Sequence, residues 1–125
     1  MKDNQPSAAE LDEALALRAL EILETDPSKT QRALAQELGI SLGKTNYCLR
    51  ALIDKGLVKF QNFKDNPHKF GYAYLLTPAG LEEKARMTLD FLRKKEKEYQ
   101  LLQVEIADLR ARVAAAKSDK SSPLQ

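Results

Sequence analysis

Thr30-Gln31-Arg32-Ala33-Leu34-Ala35-Gln36-Glu37-Leu38-Gly39-Ile40-Ser41-Leu42-Gly43-Lys44-Thr45-Asn46-Tyr47-Cys48-Leu49-Arg50 is the stretch that decides the fold. It holds two short helical patterns separated by a turn. Thr30 is the expected N-cap of the first, although Ser28 with Gln31 also has capping-box spacing. Leu34 and Leu38 then share one face. Gly39 stops that helix, because glycine enters the left-handed region without a steric cost. Ile40 packs inward and Ser41 caps the second helix, predicted over Leu42–Lys55 with Thr45, Leu49, Leu52 and Ile53 as its apolar stripe. A core leucine, a left-handed glycine, an inward isoleucine and a polar cap set two helices at a steep angle, about 90–120°.

Upstream, Ser7 and Glu10 have capping-box spacing. Leu11, Leu15, Ala19, Ile22 and Leu23 recur at helical intervals, which predicts a first helix over Ala8–Glu24 ended by Asp26-Pro27. Downstream the period changes to two. Leu57–Phe63 and Phe70–Leu76 alternate as strands, and Lys64-Asp65-Asn66-Pro67-His68-Lys69 supplies the turn of a basic-tipped hairpin. Thr77-Pro78 restarts a helix with a cap and an N1 proline. No breaker follows Gly80 until about Lys117, so one helix on the order of 60 Å long is expected. The fold class is therefore mainly α with a small β-hairpin: a winged helix-turn-helix followed by a long C-terminal helix. The expected organisation is a disordered N-terminus at 1–6, a head at 7–77, the long helix at 78–117 and a disordered tail at 118–125.

The charge distribution agrees with a polyanionic partner. The formal net charge over 125 residues is only +2, but residues 31–77 carry seven Lys/Arg and three Asp/Glu, while residues 1–30 carry three and seven. In such a fold the second helix enters the major groove of double-stranded DNA. Opposite its apolar stripe lie Gly43, Lys44, Asn46, Tyr47 and Arg50, with Ser41 at the cap. Lys44 and Arg50 suit phosphate or guanine, Asn46 suits adenine, and Gly43 admits close backbone approach. Thr30, Gln31 and Arg32 sit at a helix N-terminus that favours a phosphate. Lys64, His68 and Lys69 at the wing tip would meet flanking DNA. An apolar face here would instead have favoured a protein-binding scaffold that docks through its coiled coil.

The matching stretches Gln31-Arg32, Leu38-Gly39-Ile40-Ser41-Leu42-Gly43-Lys44, Asn46-Tyr47-Cys48, Gly56-Leu57-Val58-Lys59, Gln61-Asn62-Phe63-Lys64 and Tyr72-Ala73-Tyr74-Leu75-Leu76-Thr77-Pro78 continue through Glu83-Lys84-Ala85 and Phe91-Leu92. Through them the chain resembles the MarR-like regulators associated with exopolysaccharide gene clusters, from the first helix to about Val113. The resemblance implies a bacterial transcriptional regulator. It departs mildly at Thr30, where serine is commoner, and at Leu57, where a bulkier residue is expected.

The long helix carries its own pattern. Leu92, Tyr99, Ile106 and Val113 repeat every seven residues, with Thr88, Lys95, Leu102, Leu109 and Ala116 at the companion positions. The seam is cleanest from Tyr99 to Val113, and Leu92, Tyr99, Leu102, Ile106, Leu109 and Val113 are the expected contacts of a homodimer. Other classes are disfavoured. There is one histidine, one cysteine, no phosphate-cradling glycine loop and no nucleophile motif, so no enzyme, cofactor or metal role is expected. Cys48 reads as a small half-buried residue, with a redox sensor as the alternative should Lys44 and Arg50 lower its pKa. No apolar run approaches the roughly 20 residues of a membrane span, and no signal-peptide core is present, which implies a cytoplasmic protein.

Overall fold

The computed structural model describes residues 8–62 and 71–121. The expected cap at Ser7, the wing-tip residues Lys64, His68 and Lys69, and the outermost terminal residues lie outside them. The elements are α1 (Ala8–Thr25), α2 (Gln31–Leu38), α3 (Leu42–Asp54), β1 (Val58–Asn62), β2 (Tyr72–Leu76) and α4 (Pro78–Ser121). The hairpin is antiparallel, pairing Val58 with Leu76, Phe60 with Tyr74 and Asn62 with Tyr72. The helix of α4 runs on past Lys117.

Local chemistry at the helix ends follows the sequence. Thr30 Oγ1 accepts from Ala33 N at 3.0 Å, and Ser41 Oγ accepts from Lys44 N at 3.1 Å. Gly39 has φ 71°, and the amides of Gly39 and Ile40 return to the carbonyls of Gln36 and Ala35. The last carbonyls of α2 are thereby satisfied as the chain reverses into α3.

The chain divides into two compact units after Thr88, so the first turns of α4 belong to the same unit as the head. The head's core is Leu20, Leu23, Leu34 and Leu49, each almost wholly excluded from solvent, with Ala19, Ile22, Leu52, Val58, Tyr74 and Met87 around them. Sequence periodicity misses Leu20, and it places Leu15, Leu38 and Ile40 in a core where they are only half-buried. The reason is rotational. The buried stripe of α1 holds Ala19, Leu20, Ile22 and Leu23, with Ala16 and Leu17 packed beside it, so it is turned to take in Leu20 and leave Leu15 half-buried. Asp26-Pro27 ends α1 as expected, and Pro27 O also accepts from Tyr74 N at 2.9 Å, tying the interhelix loop to the free edge of β2.

A corner of hydrogen bonds joins α3, the hairpin and α4. Thr77 Oγ1 donates to Gly56 O at 2.6 Å and accepts from Gly80 N at 3.0 Å, while Thr77 N donates to Leu57 O at 3.0 Å. Gly80 is buried against the Leu57 backbone. Lys84 Nζ meets Glu24 at 2.6 Å, adding an exposed link from α4 to α1.

A methyl group at Gly80 would overlap the Leu57 carbonyl oxygen, which is backbone and cannot swing aside. Helix propensity alone favours Gly80→Ala by about 1 kcal/mol. The clash reverses that sign. We expect Gly80→Ala to destabilise the protein by about 1–3 kcal/mol, the usual cost of overpacking, in urea denaturation followed by circular dichroism. A stabilised variant would show that the corner yields.

Candidate nucleic-acid interface

α3 presents two unlike faces. Thr45, Leu49 and Leu52 are buried, and Thr45 Oγ1 donates to Ser41 O at 2.9 Å, so this polar group enters the core satisfied. Gly43, Lys44, Tyr47, Arg50 and Asp54 are exposed on the other side. Tyr47 is 77% exposed, far more than its apolar ring would be in a protein interior. A Cβ at Gly43 would meet open space, so the backbone is approachable there. The structure thus brings Lys44, Tyr47 and Arg50 together at successive turns of one exposed stripe, with Ser41 and Gly43 at its N-terminal end.

Asn46 and Gln31 are linked to the hairpin by hydrogen bonds. Asn46 Nδ2 donates to Gln31 Oε1 at 3.2 Å, and Gln31 Nε2 donates to the Tyr74 hydroxyl at 2.9 Å. Both amides are half-buried. Gln31 is therefore held inward as a link between α2, α3 and β2. Asn46 has its Oδ1 and a second N–H beyond this bond. Of the three residues at the α2 N-terminus, Thr30 is engaged in capping, Gln31 in this relay, and Arg32 is exposed. Nearby Lys29 is held by Glu37 at 2.6 Å, and the hydrogen bond to that carboxylate raises the lysine above its ordinary pKa.

A cleft of about 450 Å³ lies between α3 and the hairpin, lined by Gln31, Asn46, Arg50, Phe60 and Tyr74 among others. Phe60 and Tyr74 of its wall form an aromatic cluster with Tyr72, with ring centroids 5.3–5.6 Å apart. Phe60 remains 46% exposed at the rim. Sequence reading passed over Phe60 and Tyr74 as functional positions. The signal was available in the alternation, since Phe60 and Tyr74 are a direct cross-strand pair and so share a face.

Cys48 is half-buried beside the core. Burial pushes its thiol above the ordinary value and the Asp12 carboxylate adds to this, outweighing Lys44 and Lys55. The shift runs opposite to the lowering by neighbouring cations that a reactive thiolate needs. Among the described residues no cluster of His, Cys, Asp and Glu could hold a metal ion, and no helix is long and apolar enough to cross a membrane.

Residues 13–59 match the family model of winged helix-turn-helix DNA-binding domains. No curated protein matches the chain by sequence. Several solved structures share the fold. PcaV, a transcriptional regulator from Streptomyces coelicolor, is 21% identical with a TM-score of 0.61, covering 85% of this chain and 79% of its own. The transcriptional repressor CouR, bound to a 23-mer DNA duplex, is 23% identical with a TM-score of 0.57 over 91% of this chain and 75% of that one. ZitR, a zinc-responsive MarR family member from Lactococcus lactis, is 18% identical with a TM-score of 0.52 over 95% and 77%. Residues 13–59 thus lie in a winged helix-turn-helix DNA-binding domain, and the chain shares its fold with these structures.

The relay has a measurable weight. Tyr74→Phe keeps the ring in the core but removes the acceptor of Gln31 Nε2. A net loss of about 0.5–1.5 kcal/mol in urea denaturation is expected, the ordinary value of one such hydrogen bond. An unchanged midpoint would mean that Gln31 finds an equivalent partner and that Asn46 is not held by the chain Tyr74–Gln31.

Proposed function

We propose that this protein is a homodimeric, sequence-specific, DNA-binding transcriptional regulator of bacterial type acting in the cytoplasm. The observation that carries the reading is the exposed stripe of Lys44, Tyr47 and Arg50 on the second helix of the helix-turn-helix. A cationic and polar stripe suits base edges and phosphates, whereas a protein-docking helix would present apolar side chains there. On this reading Lys44 and Arg50 approach phosphate or guanine, Asn46 offers its remaining amide groups to adenine, and Ser41, Gly43 and Tyr47 complete the surface. Thr30 and Arg32 lie beside a DNA backbone, with Gln31 positioning Asn46 from behind. Lys64, His68 and Lys69 serve the wing. The resemblance of the quoted stretches supports exopolysaccharide-related genes as the targets.

The dimer rests on the second unit. Leu92, Tyr99, Leu102, Ile106, Leu109 and Val113 are 39–62% exposed in the single chain, although they repeat as a coiled-coil seam. A second copy of the same helix covers such a seam, and two heads then match two half-sites.

Binding to genomic duplex fragments tests the first part. For about 6–10 phosphate contacts per dimer, affinity falls by ~10³–10⁵ between 50 and 200 mM salt. In the same assay Arg50→Ala loses about 1–3 kcal/mol and relaxes discrimination at one base position. A flat salt response, or an Arg50→Ala variant with unaltered affinity and base preference, would remove DNA reading by this helix. Sequencing the retained fragments identifies the target genes.

Changing Ile106 and Leu109 together to Asp tests the second part. Burial of each large apolar side chain contributes roughly 1.5–3 kcal/mol, and the variant replaces that gain with buried like charges. Sedimentation at micromolar concentration should find a monomer, with the head's circular dichroism retained and DNA affinity much reduced through lost effective concentration. A variant that remains a dimer would place the interface elsewhere.

A further inference from the structure

We propose that the two copies of the C-terminal helix pair antiparallel, in the register that sets Leu102 of one chain against the partner's Ile106; this rests on the homodimer proposed above and adds its direction. The apolar layers alone do not choose between directions, because large side chains meet in either. The charged positions decide. In a parallel, in-register pair each seam residue faces its own copy, so Lys95 would confront the partner's Lys95 within the interface. The flanking contacts of that arrangement join Glu105 to Arg110 but also bring Arg112 against Lys117. Attraction and repulsion nearly cancel.

Reversing one helix changes this balance. Lys95 then lies opposite the partner's Val113, where its alkyl stem covers the layer and its ammonium reaches water. On one flank Glu98 meets the partner's Arg112, and on the other Glu96 meets the partner's Arg110. Two-fold symmetry repeats each contact, giving opposite charges at both ends of the seam. The one like-charge contact is Glu105 with its own copy at the axis. Sliding the pair one heptad one way sets Glu98 against the partner's Glu105; sliding it the other way sets Glu98 against the partner's Asp119 while pairing Glu105 with the partner's Arg112 and Glu96 with the partner's Lys117, so the proposed register has the fewest like-charge contacts of the three. In the single chain Glu98 pairs with Lys95 at 3.2 Å and Arg112 with Asp108 at 2.7 Å, both in exposed settings. Such pairs are weak enough to be exchanged or shared on association.

The test is a charge-reversal cycle on the full chain, read as the dimer dissociation constant by sedimentation equilibrium. Glu98→Arg and Arg112→Glu should each weaken the dimer roughly tenfold, since each sets like charges against each other twice. The double variant should recover to within about threefold of the starting protein. Within one helix the two positions are about 21 Å apart, so their intrachain pairs cannot produce that recovery. Additive weakening without recovery would overturn the antiparallel arrangement while leaving the dimer. A starting protein that is monomeric at tens of micromolar would overturn both. A second readout does not depend on the energetics. With Cys48→Ser, nitroxide labels at Lys97 and at Val104 should report a clearly shorter interchain distance at Val104, which lies at the axis. Equal distances at the two sites would establish a parallel pair.

Discussion

The geometry of the head depends on the corner where Thr77 meets Gly56 and Leu57. One hydroxyl donates to the carbonyl that follows α3 and accepts from the amide that begins α4, while the adjacent backbone amide closes onto Leu57. Three consecutive elements therefore meet at one residue. The hairpin leaves α3 and returns to the same point, so its base is fixed at both ends and its twist is carried from there. Gly80 is what lets α4 approach the Leu57 backbone. Without that approach Met87 would have no route into the core beside Leu52 and Val58, and α4 would not share in the head's stability.

The same rigidity shapes the recognition surface. α3 is held from beneath by Leu49, Leu52 and Thr45, and from the side by the Tyr74–Gln31–Asn46 relay. These constraints act on different residues from those exposed. Lys44, Tyr47 and Arg50 keep their rotamer freedom, while Asn46 loses much of its own in advance. An amide already ordered has less entropy to lose on binding than a free side chain of similar reach. The relay also couples the wing to the reading helix, because its anchor, Tyr74, stands on β2 and packs against Phe60 of β1. Movement of the hairpin base would be felt at Asn46 through two hydrogen bonds.

What was legible in the sequence was what local chemistry decides. The Thr30 and Ser41 caps, the left-handed Gly39, the stop at Asp26-Pro27 and the N1 proline at Pro78 each follow from a few adjacent residues, and each is found where the pattern places it. The features that escaped depend on distant partners. Gln31 and Tyr74 are 43 residues apart, and nothing near Gln31 signals that its amide turns inward. Leu20 escaped because a helix with leucine and alanine on several sides leaves its buried stripe to tertiary packing. The compact unit of the head takes in α4 as far as Thr88 for a related reason: a cap marks where a helix begins, whereas a unit ends where its last side chain stops being buried.

The second unit obeys a different physical logic from the head. Among the described residues its helix has no buried side chain in the single chain, and its described ion pairs join residues three or four positions apart on exposed surface. Pairs of that kind add about 0.2–0.5 kcal/mol each to a helix, too little to hold a long helix intact without help from packing. The apolar seam is where that help must come from. On the proposed reading, association and helix stability are one equilibrium in this unit, so its apparent stability rises with protein concentration while that of the head need not. A regulator arranged this way separates two demands on its sequence. On that reading, the residues proposed to read DNA are braced by a core formed within one chain, and those proposed to bring two readers together carry their order only when the second copy is present.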